Sequence, residues 1–154
     1  MTRNSDKHAQ DLPRSAAPAG RLLALDLGAR RVGVAVSDEL RVSVRPLPAI
    51  ARASWKKLLS EIADLCRSFD AKGVVVGLPL GLDGTEGDAA REARRIARNL
   101  SLSLNLPVHL QDERLTSRDA EQSLRDAGAS AREVASRVDG AAAALILSDF
   151  LTRG

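Results

Sequence analysis

The first apolar run of the chain reads RLLALDLG, residues 21–28. Its leucines and alanine suit a buried strand, yet Asp26 sits near the end of the run and Gly28 follows two places later. An unpaired charge in a core is costly, so such a group is neutralised, paired or bound to a metal. Working outward, Gly28 serves as the turn residue of GARR. VGVAVS (32–37) then returns as a second strand, which makes the pair a tight hairpin. A third short strand is expected near Leu40–Val44, ending before Pro46 and Pro48.

Further along, SWKKLLSEIADLCRSFD (54–70) repeats Leu58, Ile62, Leu65 and Phe69 at helical spacing, with Ser54 as N-cap and Cys66 as a small buried side chain. KGVVVGLPL (72–80) is a continuous apolar run, the pattern of a strand covered on both faces. GLDGTEGD (81–88) is a glycine-rich loop. Thr85 with Asp88 resembles a capping box that opens a helix to about Leu100. PVHLQDE (107–113) is a strand. Thr116 with Asp119 opens another helix, ending near Gly128, and VDGAAAALILSDFL (138–151) is helical. Three strands followed by helix–strand alternation predict an α/β fold, a mixed sheet with helices on both faces.

The chain has 154 residues, enough for one domain with a real core. Residues 1–20 are polar and rich in Pro, Ala and Ser and read as a disordered tail; 21–154 read as a single domain. No apolar run approaches the roughly 20 residues that cross a bilayer. No signal peptide pattern is visible, and the single cysteine excludes an internal disulfide, so a cytoplasmic location is expected. A net charge of +3 is compatible with nucleic acid without demanding it. Aromatic content is 2% with no tyrosine, so nucleic-acid binding would rest on phosphate and shape contacts rather than base stacking.

Three carboxylates stand out. Asp26 ends the first strand, Glu113 ends PVHLQDE, and Asp139 opens the last apolar helix. Strand ends and helix starts are where reactive groups gather in open sheets. Three acids converging there would suit Mg²⁺, which prefers hard oxygen ligands. Such a site would activate water against a phosphodiester. Each acid also has a plainer reading. Asp26 can bond the amides of its turn, Glu113 can pair with Arg114 or Arg118, and Asp139 can complete a capping box with Ser136. Spacing does not force the three together.

DLGARRVGVAVSD (26–38) resembles the opening motif of the YqgF (RuvX) family of ribonuclease H-like nucleases. GVVVGLPLGLDGTEGD (73–88), DERLTS (112–117) and VDGAAAALIL (138–147) resemble its second, third and last motifs, in order. The likeness covers residues 21 to about 152. It implies a ribonuclease H-like mixed five-stranded sheet and an acidic site of Asp26, Glu113 and Asp139 that holds Mg²⁺ or Mn²⁺. It also implies maturation of the 5′ end of pre-16S rRNA, with the small-subunit precursor as a partner; no membrane partner is expected, and the sequence leaves monomer or homodimer open. A Holliday junction resolvase and a non-catalytic RNA-binding assembly factor are the alternatives. The opening hairpin also resembles the phosphate-contacting hairpin of the actin and sugar-kinase group, which closes two such domains over ATP. Gly81 departs from the asparagine of many members, and Gly140 is unusual at its position.

Substrate phosphates have several candidate partners. Arg30 and Arg31 lie in the turn after Asp26, and Arg114 follows Glu113. Arg91, Arg94, Arg95 and Arg98 form a stripe at helical spacing, which reads equally as a solvated face beside Glu86 and Glu92. The amides of Gly84 to Gly87 precede that helix and are a further phosphate contact, or a plain loop. His109 shares the parity of Glu113 and is either a proton shuttle or structural.

Overall fold

The computed structural model describes residues 20–113 and 131–153, with the side chains of 131–139 excepted. Five strands form one sheet: β1 (Leu22–Leu27), β2 (Arg31–Ser37), β3 (Val44–Ala51), β4 (Gly73–Leu78) and β5 (Val108–Asp112). Their order across the sheet is β3-β2-β1-β4-β5. β1–β2 and β2–β3 are antiparallel, whereas β1–β4 and β4–β5 are parallel. The expected mixed sheet is therefore present, and its parallel half brings the C-terminal ends of β1, β4 and β5 side by side.

Three helices are described: α1 (Trp55–Phe69), α2 (Asp88–Leu104) and α3 (Ala131–Arg153). Strand alternation sorts the core into two layers. Leu23, Leu25, Val32, Val34, Val74 and Val76 pack with Leu58, Ile62, Ala93, Ile96 and Leu100 from α1 and α2. Leu22, Ala24, Ala35 and Val75 point the other way, against Ala143, Ile146 and Leu147 of α3. β4 is buried at all six positions, as its unbroken apolar run predicts.

The expected Ser54 cap is present, with its hydroxyl accepting from the Lys57 amide. Cys66 is buried, and burial pushes its thiol up to about 11. The β1–β2 hairpin is also as expected. The Gly28 amide donates to the Arg31 carbonyl at 2.9 Å, and a Cβ on Gly28 would lie 2.6 Å from that same oxygen. The turn is closed too tightly for any other residue.

Three local expectations are corrected. The third strand does not end before Pro46 and Pro48 but runs through both, to Ala51. β3 is an edge strand paired with β2 alone, so missing proline donors can face outward at no cost to the ladder. Thr85 does not cap α2. Its hydroxyl bonds Asp83 at 2.7 Å within the loop, and the N-cap is Gly87, with no side-chain bond. α3 starts at Ala131 rather than near Val138, so Asp139 and Gly140 belong to the helix interior instead of its first turn. The expected tail, the helix from Thr116 to Gly128, and Ser117, Arg114 and Arg118 lie outside the described residues, apart from Gly20.

Gly140 has a packing reason. A Cβ there would sit 2.9 Å from Cβ of Pro46 and 3.3 Å from the Leu47 carbonyl oxygen, so the glycine lets α3 press against β3. Glycine costs a helix interior about 1 kcal/mol relative to alanine. Forcing extra carbons into a filled contact costs about 1–3 kcal/mol. Gly140→Val is therefore expected to destabilise the protein by about 1–3 kcal/mol. The check is a lower urea midpoint at unchanged slope.

Candidate active site at the strand ends

Asp26 is the fifth residue of β1 and continues the parity of Leu22 and Ala24, so it faces the α3 side of the sheet at the end of the buried run. Glu113 follows β5 directly, and its amide donates to the Leu78 carbonyl at 3.2 Å. Its parity is that of Gln111, whose register partner is Gly77. A Cβ on Gly77 would lie 2.7 Å from Glu113 Oε2 and 2.7 Å from Ile146 Cδ1. The missing side chain at position 77 is the space into which the Glu113 carboxyl folds, under α3.

The two acids meet there. Asp26 and Glu113 share a side-chain hydrogen bond. Burial, the bond to Asp26 and the charges of Asp26 and Asp112 all push the Glu113 carboxyl well above the usual carboxylate range. Two carboxylates in contact cannot both ionise without a cation, so one proton holds the pair together. Glu113 Oε2 is buried and has no hydrogen-bond partner. A buried carboxylate oxygen without a donor, beside a second carboxyl, is a donor set that suits a hard divalent cation.

The third expected acid, Asp139, lies in α3, eight positions after Ala131; its side chain is outside the described residues. Among the described residues no cluster of three or more His, Cys, Asp and Glu forms. The described site is thus an acidic pair.

The basic candidates divide. Arg30 and Arg31 are exposed in the turn beyond Asp26. On α2, Arg91 pairs with Asp88, and Arg94 grips Glu86 through two bonds of 2.8 and 2.6 Å. Arg95 Nη2 lies 3.7 Å from Glu92 Oε2, and Arg98 is exposed. The Arg94 contact holds the Glu86 carboxyl below its ordinary range. The stripe therefore carries its own counter-charges. His109 packs against Phe150 of α3, ring centroids 5.0 Å apart, and burial together with the charge of Arg41 lowers its pKa.

Three residues at this end of the sheet escaped the sequence reading. Gly77 was legible in principle, because glycine inside a buried strand marks a close approach. Gln111 is buried on the same face as Glu113, and its Nε2 has no partner; a polar residue alternating with Glu113 in PVHLQDE was the available signal. Arg52 donates Nη1 to the Gly28 carbonyl at 2.9 Å and Nη2 to Glu92 Oε1 at 2.6 Å. Nothing in its flanking sequence marks it.

Comparison with known proteins gives the family and the fold. The profile of the family described as RuvX, Holliday junction resolvase, matches residues 20–153. A protein of Anaeromyxobacter sp. (strain K) named "Putative pre-16S rRNA nuclease" is 47% identical over 133 residues, covering 86% of this chain and 97% of the relative. One of Syntrophus aciditrophicus (strain SB) with the same name is 42% identical over 131 residues, covering 85% and 87%. Among solved structures, Thermus thermophilus RuvC in complex with Holliday junction substrate superposes with a TM-score of 0.53 at 13% identity, covering 87% of this chain and 95% of that one. The fowlpox virus Holliday junction resolvase gives 0.50 at 11%, covering 87% and 99%. At such identities these likenesses speak for the fold, which is ribonuclease H-like. From the family match and the relatives, the chain belongs to the RuvX family and is a phosphodiester-hydrolysing enzyme, a nuclease.

Proposed function

We propose that the chain is a divalent-metal-dependent endonuclease that cuts structured RNA, with the 5′ end of pre-16S rRNA as substrate and water as nucleophile. The observation that carries the reading is the Asp26–Glu113 pair, two acids sharing a proton at the C-terminal ends of parallel strands. The rRNA assignment follows the names of the relatives. The four-way DNA junction is the second reading, favoured by the family description.

In this reading Asp26 and Glu113 hold Mg²⁺ or Mn²⁺, with Asp139 as the third ligand by motif. The metal supplies polarisation of the phosphate and a more acidic water. Binding it requires the shared proton to leave the pair, since ligands must be deprotonated. Asp26 from the end of β1 and Glu113 from just past β5 would hold the cation. Arg30 and Arg31 in the turn after Asp26, and Arg114 by its place in the motif, hold substrate phosphates. Arg91, Arg94, Arg95 and Arg98 contribute by exchanging internal carboxylates for phosphate. A cytoplasmic location fits an RNA substrate, and among the described residues no helix is long and apolar enough to cross a membrane.

The raised Glu113 carboxyl fixes the sign of a pH effect. In the unfolded chain a glutamate titrates near pH ~4.3. Between that pH and its higher folded pKa, the metal-free folded state holds the proton that the unfolded state has lost. Stability therefore falls as pH rises through this window.

Two outcomes are expected. In chelator at pH 8, Glu113→Gln melts higher than the parent, by about 2–4 °C for each kcal/mol relieved, and its melting temperature changes less with pH. A melting temperature unchanged or lowered at pH 8 contradicts the shared-proton pair. Second, Asp26→Asn lowers cleavage by at least about 10³-fold while remaining folded, and Mn²⁺ raises the melting temperature of the parent but not of the variant. A panel of precursor rRNA fragment and four-way DNA junction, with Mg²⁺ or Mn²⁺, decides the substrate. Full activity of Asp26→Asn on either substrate refutes the site.

A further inference from the structure

We infer that Arg52 is a positioning residue for Asp26, an inference that rests on the metal-site reading above. Arg52 lies just past β3, one residue beyond the Arg31–Ala51 pair. Its backbone amide donates to the Arg30 carbonyl at 2.8 Å, and its guanidinium donates to the Gly28 carbonyl at 2.9 Å. One residue thus grips two carbonyls of the turn that follows Asp26. The turn transmits that grip directly, because the Gly28 amide donates to the Asp26 carbonyl at 3.1 Å as well as to Arg31.

The far end of the guanidinium is anchored too. Nη2 reaches Glu92 Oε1 on α2 at 2.6 Å, with the Arg52 side chain 19% exposed and that of Glu92 39% exposed. The active-site turn is thereby tied to a helix on the opposite face of the sheet from α3. Glu92 has a second role, since it offsets the Arg52 charge near a site that must attract a cation. The planar fork of arginine serves both acceptors at once; the point charge of lysine serves one. Removing the side chain leaves the backbone bond to Arg30 intact, so the end of β3 keeps its pairing. What is lost is the constraint on Gly28 and, through it, on the direction of the Asp26 carboxyl.

The test uses the full chain as parent, Arg52→Ala, Arg52→Lys and Asp26→Asn. Mn²⁺ affinity is read by calorimetry, and kcat and KM are read separately on the substrate that the parent cleaves. Partners that orient a metal ligand are worth about 10- to 100-fold in affinity or activity. Arg52→Ala is expected to weaken Mn²⁺ by that factor and to lower kcat similarly. KM should stay within about threefold, because phosphate binding is left in place. Arg52→Lys should recover part of both losses. A role confined to stability would lower the melting temperature while leaving Mn²⁺ affinity and kcat unchanged below it; that result overturns the inference. Should Arg52→Ala not fold, Arg52→Lys and Glu92→Gln carry the comparison, and parental Mn²⁺ affinity in both overturns it. Asp26→Asn separates the two levels. If it binds Mn²⁺ like the parent, the metal-site reading fails and this inference with it. If it loses Mn²⁺ while Arg52→Ala keeps it, the site stands and the role of Arg52 fails.

Discussion

Two carboxyl groups held in contact in a partly buried site must share a proton or a cation, and this constraint organises the end of the sheet that carries Asp26 and Glu113. The pair exists because the strand order places β1, β4 and β5 adjacent and parallel, so their C-terminal ends open in one place. Position 77 decides whether the acids can meet. Gly77 lies on the strand between them, and any side chain there would occupy the volume of the Glu113 carboxyl and of Ile146. A single missing Cβ near the end of β4 therefore makes room for the site.

The helix over that face is suited to the same task. α3 touches all five strands, and its sheet-facing residues in the described part are small where it lies against β3, at Gly140, and larger near β4, at Ile146. Over Gly77 the space is shared by the Ile146 side chain and the Glu113 carboxyl. The opposite face is packed conventionally by α1 and α2, whose buried leucines, isoleucines and alanines cover the strands from Leu23 to Val76. The costly carboxyl pair thus lies on the α3 face, on the other side of the sheet from the core packed by α1 and α2.

The sequence made some of this visible and hid the rest for physical reasons. Asp26 was legible because a charge inside a run of leucines has few explanations, and the hairpin after it because Gly28 punctuates two β-branched strands. β4 and the Ser54 cap were legible for similar reasons of pattern. β3 was misread because proline usually stops a strand, while an edge position removes that penalty and the position within the sheet is a tertiary fact. The start of α3 was misread because Ser136 and Asp139 imitate a capping box inside a helix that was already under way. Arg52 carries no local signature at all. Its partners, Gly28 and Glu92, are 24 and 40 residues distant along the chain.

Charge allocation sharpens the functional picture beyond the acids. The arginines of α2 are numerous, but Arg91, Arg94 and Arg95 lie against Asp88, Glu86 and Glu92. Exposed pairs of this kind are worth about 0–1 kcal/mol, so a phosphate displaces them cheaply. Asp88 and Glu86 offset Arg91 and Arg94 at short range, while Glu92 is shared between Arg95 and Arg52. In the turn after Asp26, Arg30 and Arg31 sit exposed within five residues of the carboxyl pair. In the function proposed above, these two arginines are the substrate contacts nearest Asp26 along the chain, whereas the arginine stripe lies on α2. In that reading the bonds from Arg52 to the Arg30 and Gly28 carbonyls would hold the turn that carries both arginines, so the placing of the acid and the grip on phosphate would share one anchor.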